Sequence, residues 1–265
     1  MKKILINILN QDNGILRLTL DDENNKNALS EAMIDELTEA INAANDNKEV
    51  KVIIIASNGN VFCSGHNLKE ITAARNNNDK GESYFMNLFE LCSSLMQLIV
   101  SCSKPVIAEV DGIATAAGCQ LVASCDLAIS SSTAKFATPG VNIGLFCSTP
   151  MVALSRNVSK KEAMKMLLTG DMIDAVEAKR ISLINDYVSD DKLEESVNNL
   201  ALKISKKSSM TVKIGKEAFY KQAEMSLSDA YAYTSVVMAQ NTLNDDAKEG
   251  ISSFIEKRDP NWQDN

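Results

Sequence analysis

The sequence predicts an α/β fold, a spiral of β-β-α units followed by a helical C-terminal region, and three observations carry the prediction. Short β-rich runs alternate with helical periods through the first half of the chain. Two of those runs end in glycine-punctuated segments that lead directly into a helix start. From Pro150 onward almost everything is helical in period. A right-handed β-β-α spiral is the simplest topology consistent with that alternation.

The elements follow in order. Ile4 to Leu9 and Ile15 to Leu20 are β-rich and joined by a Gly-containing loop, so the chain opens as a hairpin. From Ala28 onward, apolar residues at Met33, Ile34, Leu37, Ile41 and Ala44 mark a helix, with Ser30 as N-cap. Val52 to Ala56 is a continuous apolar run suited to a strand covered on both faces. A helix over 83–100, a strand over 105–110, a small-residue helix over 116–124 and strands over 127–130 and 135–137 repeat the pattern. The Asn76–Glu82 segment is rich in loop-formers and is expected to be mobile. The last helices, over 227–240 and 245–257, carry more apolar surface (Tyr231, Tyr233, Val236, Val237) than a short helical tail buries on itself. Residues 1–200 therefore read as the core and 201–265 as an oligomerisation region that packs on a neighbouring subunit.

Composition excludes several functions. At 45% apolar and 23% charged residues the chain is an ordinary folded protein, and a net charge of -8 argues against a nucleic-acid or anionic-membrane surface. The stretch from Val106 to Ile129 holds Glu109, Asp111 and Asp126, which makes a lipid span implausible. A single histidine, His66, cannot build a multi-histidine metal site, so no metal is expected. Six cysteines form no CxxC and read as reduced, buried thiols. The apolar stretch near the N-terminus is broken at Asn7 and Asn10, which suits a strand better than a signal peptide; the default expectation is a cytoplasmic protein.

Chemistry is expected at the two glycine-punctuated segments, Val61–Glu70 and Asp111–Gln120. The N–H groups at a new helix start lack intrahelical partners and point beyond the strand. Two such donors facing each other make an oxyanion hole for a carbonyl that gains charge, an effect worth ~10²–10³ per donor. The alternative is that the glycines serve only tight turns.

Several motifs resemble one known family: FCSGHNLKE (62–70), KPVIAEVDGIATAAGCQL (104–121), CDLAI (125–129), AKFATPG (134–140) and LTG (168–170) are similar to segments of the crotonase, or enoyl-CoA hydratase/isomerase, superfamily, over about residues 5 to 257 and in the right order. The resemblance implies a ββα spiral, acyl-CoA binding with no separate cofactor, since coenzyme A is part of the substrate, and homotrimers often paired into hexamers. It places the oxyanion N–H groups at His66 and Ala117, in agreement with the reading of the two helix starts. It places acyl-CoA contacts at Lys26, Asn27, Ala28 and Leu29, at Ser64, Asn67 and Leu68, and at Phe254 and Lys257. Lys257 serves equally well as a cation at a helix C-terminus.

The departures from the family matter more. Its two water-activating glutamates fall on Gln120 and Gly140, and its isomerase aspartate falls near Ser148. An amide orients water without taking its proton and glycine offers nothing, so ordinary enoyl-CoA hydration is expected to be slow, each missing element being worth ~10²–10⁴ in rate. Replacing Gln120 and Gly140 together by glutamate is expected to raise that activity. Cys147 is a substitute nucleophile or base if a helix N-terminus lowers its pKa, while Ser148 or Thr149 before Pro150 also reads as a plain N-cap. The His66 side chain has three possible directions: solvent, the coenzyme or the pocket. Three activities remain open: a family enzyme acting on a polarised thioester, a non-catalytic or regulatory acyl-CoA-binding oligomer, and an acyl-CoA thioesterase.

Overall fold

A computed structural model describes residues 3–264 of the chain. The opening hairpin forms as expected: β1 (Leu5–Asn10) runs antiparallel to β2 (Ile15–Leu20), with Leu5 opposite Leu20 and Asn10 opposite Ile15. The chain continues through α1 (Glu31–Asp46), where the Ser30 hydroxyl accepts from Met33 N, to β3 (Val52–Ser57), which lies parallel to β2.

Three β-β-α units then follow. β3 and β4 (Val61–Cys63) lead to α2 (Leu68–Ala74) and α3 (Glu82–Ser101). β5 (Val106–Val110) and β6 (Ile113–Thr115) lead to α4 (Ala117–Ser124). β7 (Leu127–Ser131) and β8 (Lys135–Ala137) lead through a 3-10 turn at Pro139–Ile143 to α5 (Pro150–Asn157). The first strand of every unit joins one mainly parallel sheet and the second strand joins another. This is the ββα spiral that the sequence resemblance implies. The step between sheets needs a sharp bend, and Gly112 supplies one: its φ is +73° and a Cβ there would lie 2.1 Å from Asn60 O.

The region after Pro150 departs from the expectation of near-complete helicity. α6 (Lys160–Thr169) is followed by β9 (Ile173–Asp174), α7 (Ala175–Arg180) and β10 (Asp186–Val188), which complete the sheets in the orders β4-β6-β8-β9 and β1-β2-β3-β5-β7-β10. β8 forms at its expected bounds, but β9 and β10, two and three residues long, give no readable period. The same holds for β6, hidden between Gly112 and the helix start.

The six-stranded sheet is covered on both faces, which explains the unbroken apolar run of β3. Ile53 and Ile55 face the main core with α1 and α3, while Val52 and Ile54 face a second core closed by Val197 and Ala201 of α8 (Leu193–Ser205). Residue 200, the expected end of the core, lies inside α8. α3 is the one helix among the described residues long and apolar enough to cross a membrane, yet Leu88, Cys92, Leu95, Met96 and Ile99 are buried in the main core. The Asn76–Glu82 segment is a run of turns in which the Ser83 side chain first, and then the Ser83 and Gly81 N–H groups that donate to it at 3.0 Å each, hold the Asp79 carboxylate well below the usual range, at about 2.

Three helices complete the chain: α9 (Ser209–Ala223), α10 (Leu227–Thr242) and α11 (Asp245–Glu256). Lys216 of α9 donates to Ile99 O, Lys104 O and the Asp126 carboxylate at 2.7–2.9 Å, and Tyr220 donates to the other Asp126 oxygen. α9 is thereby locked to the core. α10 buries no residue fully and exposes Leu227, Tyr231, Val236 and Met238.

Candidate active site

Backbone contacts too close for side chains assemble the site. Gly65 has φ +94°, and a Cβ on it would lie 2.9 Å from the Ala116 Cβ and 3.2 Å from Ala117 N. A Cβ on Gly118 would lie 2.1 Å from Cys63 O. Thr115 Oγ1 also donates to Ser64 O at 3.1 Å. The first turn of α4 therefore lies directly on the 63–65 backbone, and the two expected helix starts meet.

Ala116 has φ +52° and ψ −118°, a conformation an L residue rarely adopts. Its N–H donates to Ala137 O at 3.0 Å, which fixes the turn. Among the described residues no protein atom accepts the N–H of His66 or of Ala117. Two backbone donors without acceptors are thus held beside one another by Gly65.

The 26–29 strip runs along the same segment. Ser64 N donates to Lys26 O and Leu29 N to Gly65 O. Asn27 does not offer its side chain outward: it donates to Asn58 O and Val61 O, accepts from Asp22 N, and is 1% exposed. Ala28 and Leu29 are buried, so the accessible groups here are the backbone and the exposed Lys26. Asn67 caps α2 by accepting from Lys69 N, and Leu68 is exposed beside it.

The His66 ring lies inward. Its Nδ1 is 3.3 Å from Leu29 O, and its plane meets the Phe89 ring edge-on at 5.4 Å. Burial lowers its pKa, outweighing the Leu29 contact, so the imidazole is neutral at pH 7. Gln120, 4% exposed on α4, has an Oε1 with no partner, and so does the Thr138 hydroxyl.

Gly140 has no room for a side chain. A Cβ there would lie 2.6 Å from Leu145 O and 2.9 Å from Cys147 Sγ, while Leu145 N already donates to Gly140 O. The loop has closed over the position, which removes the support for a simple double-glutamate restoration. Cys147 is buried, and that burial pushes its thiol up against a weaker opposing pull from the Gly140 amide. The expectation of a helix-activated thiolate at Cys147 is corrected accordingly. Ser148 is exposed, and Thr149 takes the N-cap position of α5 without a side-chain capping bond.

Phe254 and Lys257 stand apart on α11, which packs on α9 and α10. Phe254 is 85% exposed and Lys257 ends the helix in a left-handed conformation. The contribution of Thr138 was not visible in the sequence, since only the pairing of Ala116 with Ala137 brings it beside the two helix starts. Among the described residues no group of three His, Cys, Asp or Glu is arranged to hold a metal.

Comparison with known proteins agrees with this architecture. The family model for enoyl-CoA hydratase/isomerase matches residues 10–265. The enoyl-CoA hydratase domain-containing protein 3, mitochondrial, of Xenopus laevis is 49% identical over 97% of this chain and 86% of its own length, and the human protein 46% over 95% and 82%. The crystal structure of the human protein superposes with a TM-score of 0.93 at 43% identity over 98% of this chain and 100% of its own. An enoyl-CoA hydratase of Mycobacterium smegmatis gives 0.93 at 42% over 98% and 99%. The expectation of a cytoplasmic protein is overturned by these comparisons, because the vertebrate relatives are named mitochondrial. The chain belongs to the enoyl-CoA hydratase/isomerase family, the crotonases, on the side of the domain-containing protein 3 relatives.

Proposed function

We propose that this protein binds an acyl-CoA thioester and polarises its carbonyl between the N–H groups of His66 and Ala117, without the carboxylate pair that ordinary hydration requires. The observation that carries the reading is the meeting of two acceptor-less backbone donors at Gly65 and Ala116. Because those donors are fixed before ligand arrives, they stabilise charge on the thioester oxygen without reorganisation. Coenzyme A enters as part of the substrate, with Lys26 beside the 26–29 strip available to its phosphates.

A non-catalytic or regulatory acyl-CoA-binding role is favoured by one observation: the space at Gly140 is filled by Leu145 O and Cys147 Sγ. The upward push that burial gives the Cys147 thiol weighs against the thiol version of the thioesterase reading. The exposed apolar residues of α10 and α11 support self-association, which would also give Phe254 and Lys257 a neighbouring subunit to serve.

Calorimetric titration with butyryl-CoA and a turnover assay with crotonyl-CoA test the proposal together. Saturable thioester binding with hydration at least ~10²-fold below that of a glutamate-bearing family member is expected. Absence of binding, or hydration at the full family rate, overturns it.

A further inference from the structure

Five buried side-chain polar atoms have no hydrogen-bond partner among the described residues, and three of them belong to residues gathered around Ala116: His66 Nε2, Gln120 Oε1 and Thr138 Oγ1. Ala116 N donates to Ala137 O next to Thr138, Gln120 N donates to Ala116 O, and Gly65, next to His66, lies so near Ala116 that a Cβ on it would come within 2.9 Å of the Ala116 Cβ. A buried polar group without a partner loses its hydration for nothing, so three at one junction need a reason.

The His66 ring is the informative member. Leu29 O can only accept, so a bond to Nδ1 requires the hydrogen on Nδ1 and leaves Nε2 as a bare acceptor. The edge-on Phe89 ring offers it no hydrogen-bonding group of its own. The other orphaned atoms are not bases near neutral pH: an amide oxygen and a hydroxyl. Cys147 keeps its proton, and Glu70, the carboxylate nearest along the chain, is held by Asn67 Nδ2 at 3.1 Å and by Tyr84 OH and Glu31 N at 3.4 Å. Only the imidazole presents an unprotonated basic atom at this junction.

We propose that His66 Nε2 is the proton acceptor of the site, taking a hydrogen from the carbon next to the carbonyl of a bound acyl thioester. The inference rests on the acyl-CoA reading above. In the step the Cα–H bond breaks and its proton moves to Nε2, giving an imidazolium. The electron pair forms the enolate C=C, and the negative charge settles on the thioester oxygen between the N–H groups of His66 and Ala117. Return of a proton from the imidazolium restores the thioester, so the cycle needs no further reactant. One residue thus supplies a donor from its backbone and a base from its side chain, and the reaction class is proton exchange or enolate formation rather than water addition.

The test is deuterium incorporation at Cα of butyryl-CoA in D₂O, read by mass spectrometry, alongside butyryl-CoA affinity by calorimetry. The wild-type protein is expected to exchange well above the solvent rate. His66→Ala leaves the backbone N–H in place, so it is expected to lose exchange ~10²-fold or more while affinity stays within a few-fold, and free imidazole is expected to restore part of the rate. Bound butyryl-CoA with no exchange by the wild type, undiminished exchange in H66A, or loss without imidazole recovery overturns the assignment of the base. Failure of the wild type to bind butyryl-CoA overturns the acyl-CoA reading beneath it.

Discussion

At the scale of single residues, Gly140 shows how a missing side chain becomes a structural commitment. The sequence shows that no carboxylate stands there; only the structure shows that Leu145 O and Cys147 Sγ have taken the space. That filling is a tertiary contact between a 3-10 turn and the loop after it, and no periodicity encodes it. Gly140→Ala is therefore expected to cost about 1–3 kcal/mol of stability, read as a lower urea midpoint at unchanged slope. The paired change Gln120→Glu with Gly140→Glu is expected to lower the midpoint further and to leave crotonyl-CoA hydration near the wild-type level. A stable double variant with hydration raised ~10²-fold would show that the loop yields easily. Cys147→Gly would relieve only the sulfur contact, because the Leu145 carbonyl belongs to the backbone.

At the scale of elements, α9 is held by a polar lock rather than by an apolar stripe. Its one buried hydrophobic residue is Ala218, whereas the Lys216 side chain, 7% exposed, reaches two carbonyls and the Asp126 carboxylate. Removing one partner of such a pair leaves an uncompensated charge, which costs about 3–5 kcal/mol. Lys216→Met is expected near the lower end in urea unfolding, because Val106 N and Tyr220 OH still serve Asp126. Adding Asp126→Asn should then cost less than the sum of the single changes, and strict additivity would mean the two groups are uncoupled. The lock also marks the limit of what the sequence disclosed. Long periodic elements such as α1 and β3 were legible because burial on one or two faces leaves a repeat. The Gly65 and Gly118 contacts were legible as glycine punctuation, which is why the meeting of two helix starts was predicted. The short strands β6, β9 and β10 and the orphaned Thr138 hydroxyl were not, since they depend on neighbours distant in sequence, whereas β8 was read at its observed bounds.

At the scale of the whole molecule, the surface and the core make separate predictions. α10 and α11 expose Leu227, Tyr231, Phe254 and Ile255 at 69–85% of their area, more than a solitary chain tends to leave in one region. Sedimentation is expected to find an assembly of several 28.8 kDa chains, and Tyr231→Asp with Ile255→Asp to shift it toward the monomer. The core instead sets the response to alkali. Burial pushes the thiols of Cys63, Cys92 and Cys119 up to about 12, against about 8.5 in an unfolded chain. A thiol whose folded pKa is raised holds its proton in the native state while the unfolded chain releases it, so the stability it contributes is full below pH ~8.5 and is lost as pH rises toward 12. Each such thiol contributes a slope of up to about 1.4 kcal/mol per pH unit in that window. Tyr84, also pushed up to about 12 by burial and the nearby Glu70, acts in the same direction. Urea midpoints are therefore expected to fall steadily from pH 9 upward, and Cys63→Ala with Cys119→Ala to start from a lower midpoint but decline less steeply. A slope unchanged by removing both thiols would mean that they are already reached by solvent in the native protein and that the tyrosines and lysines set the alkaline limit.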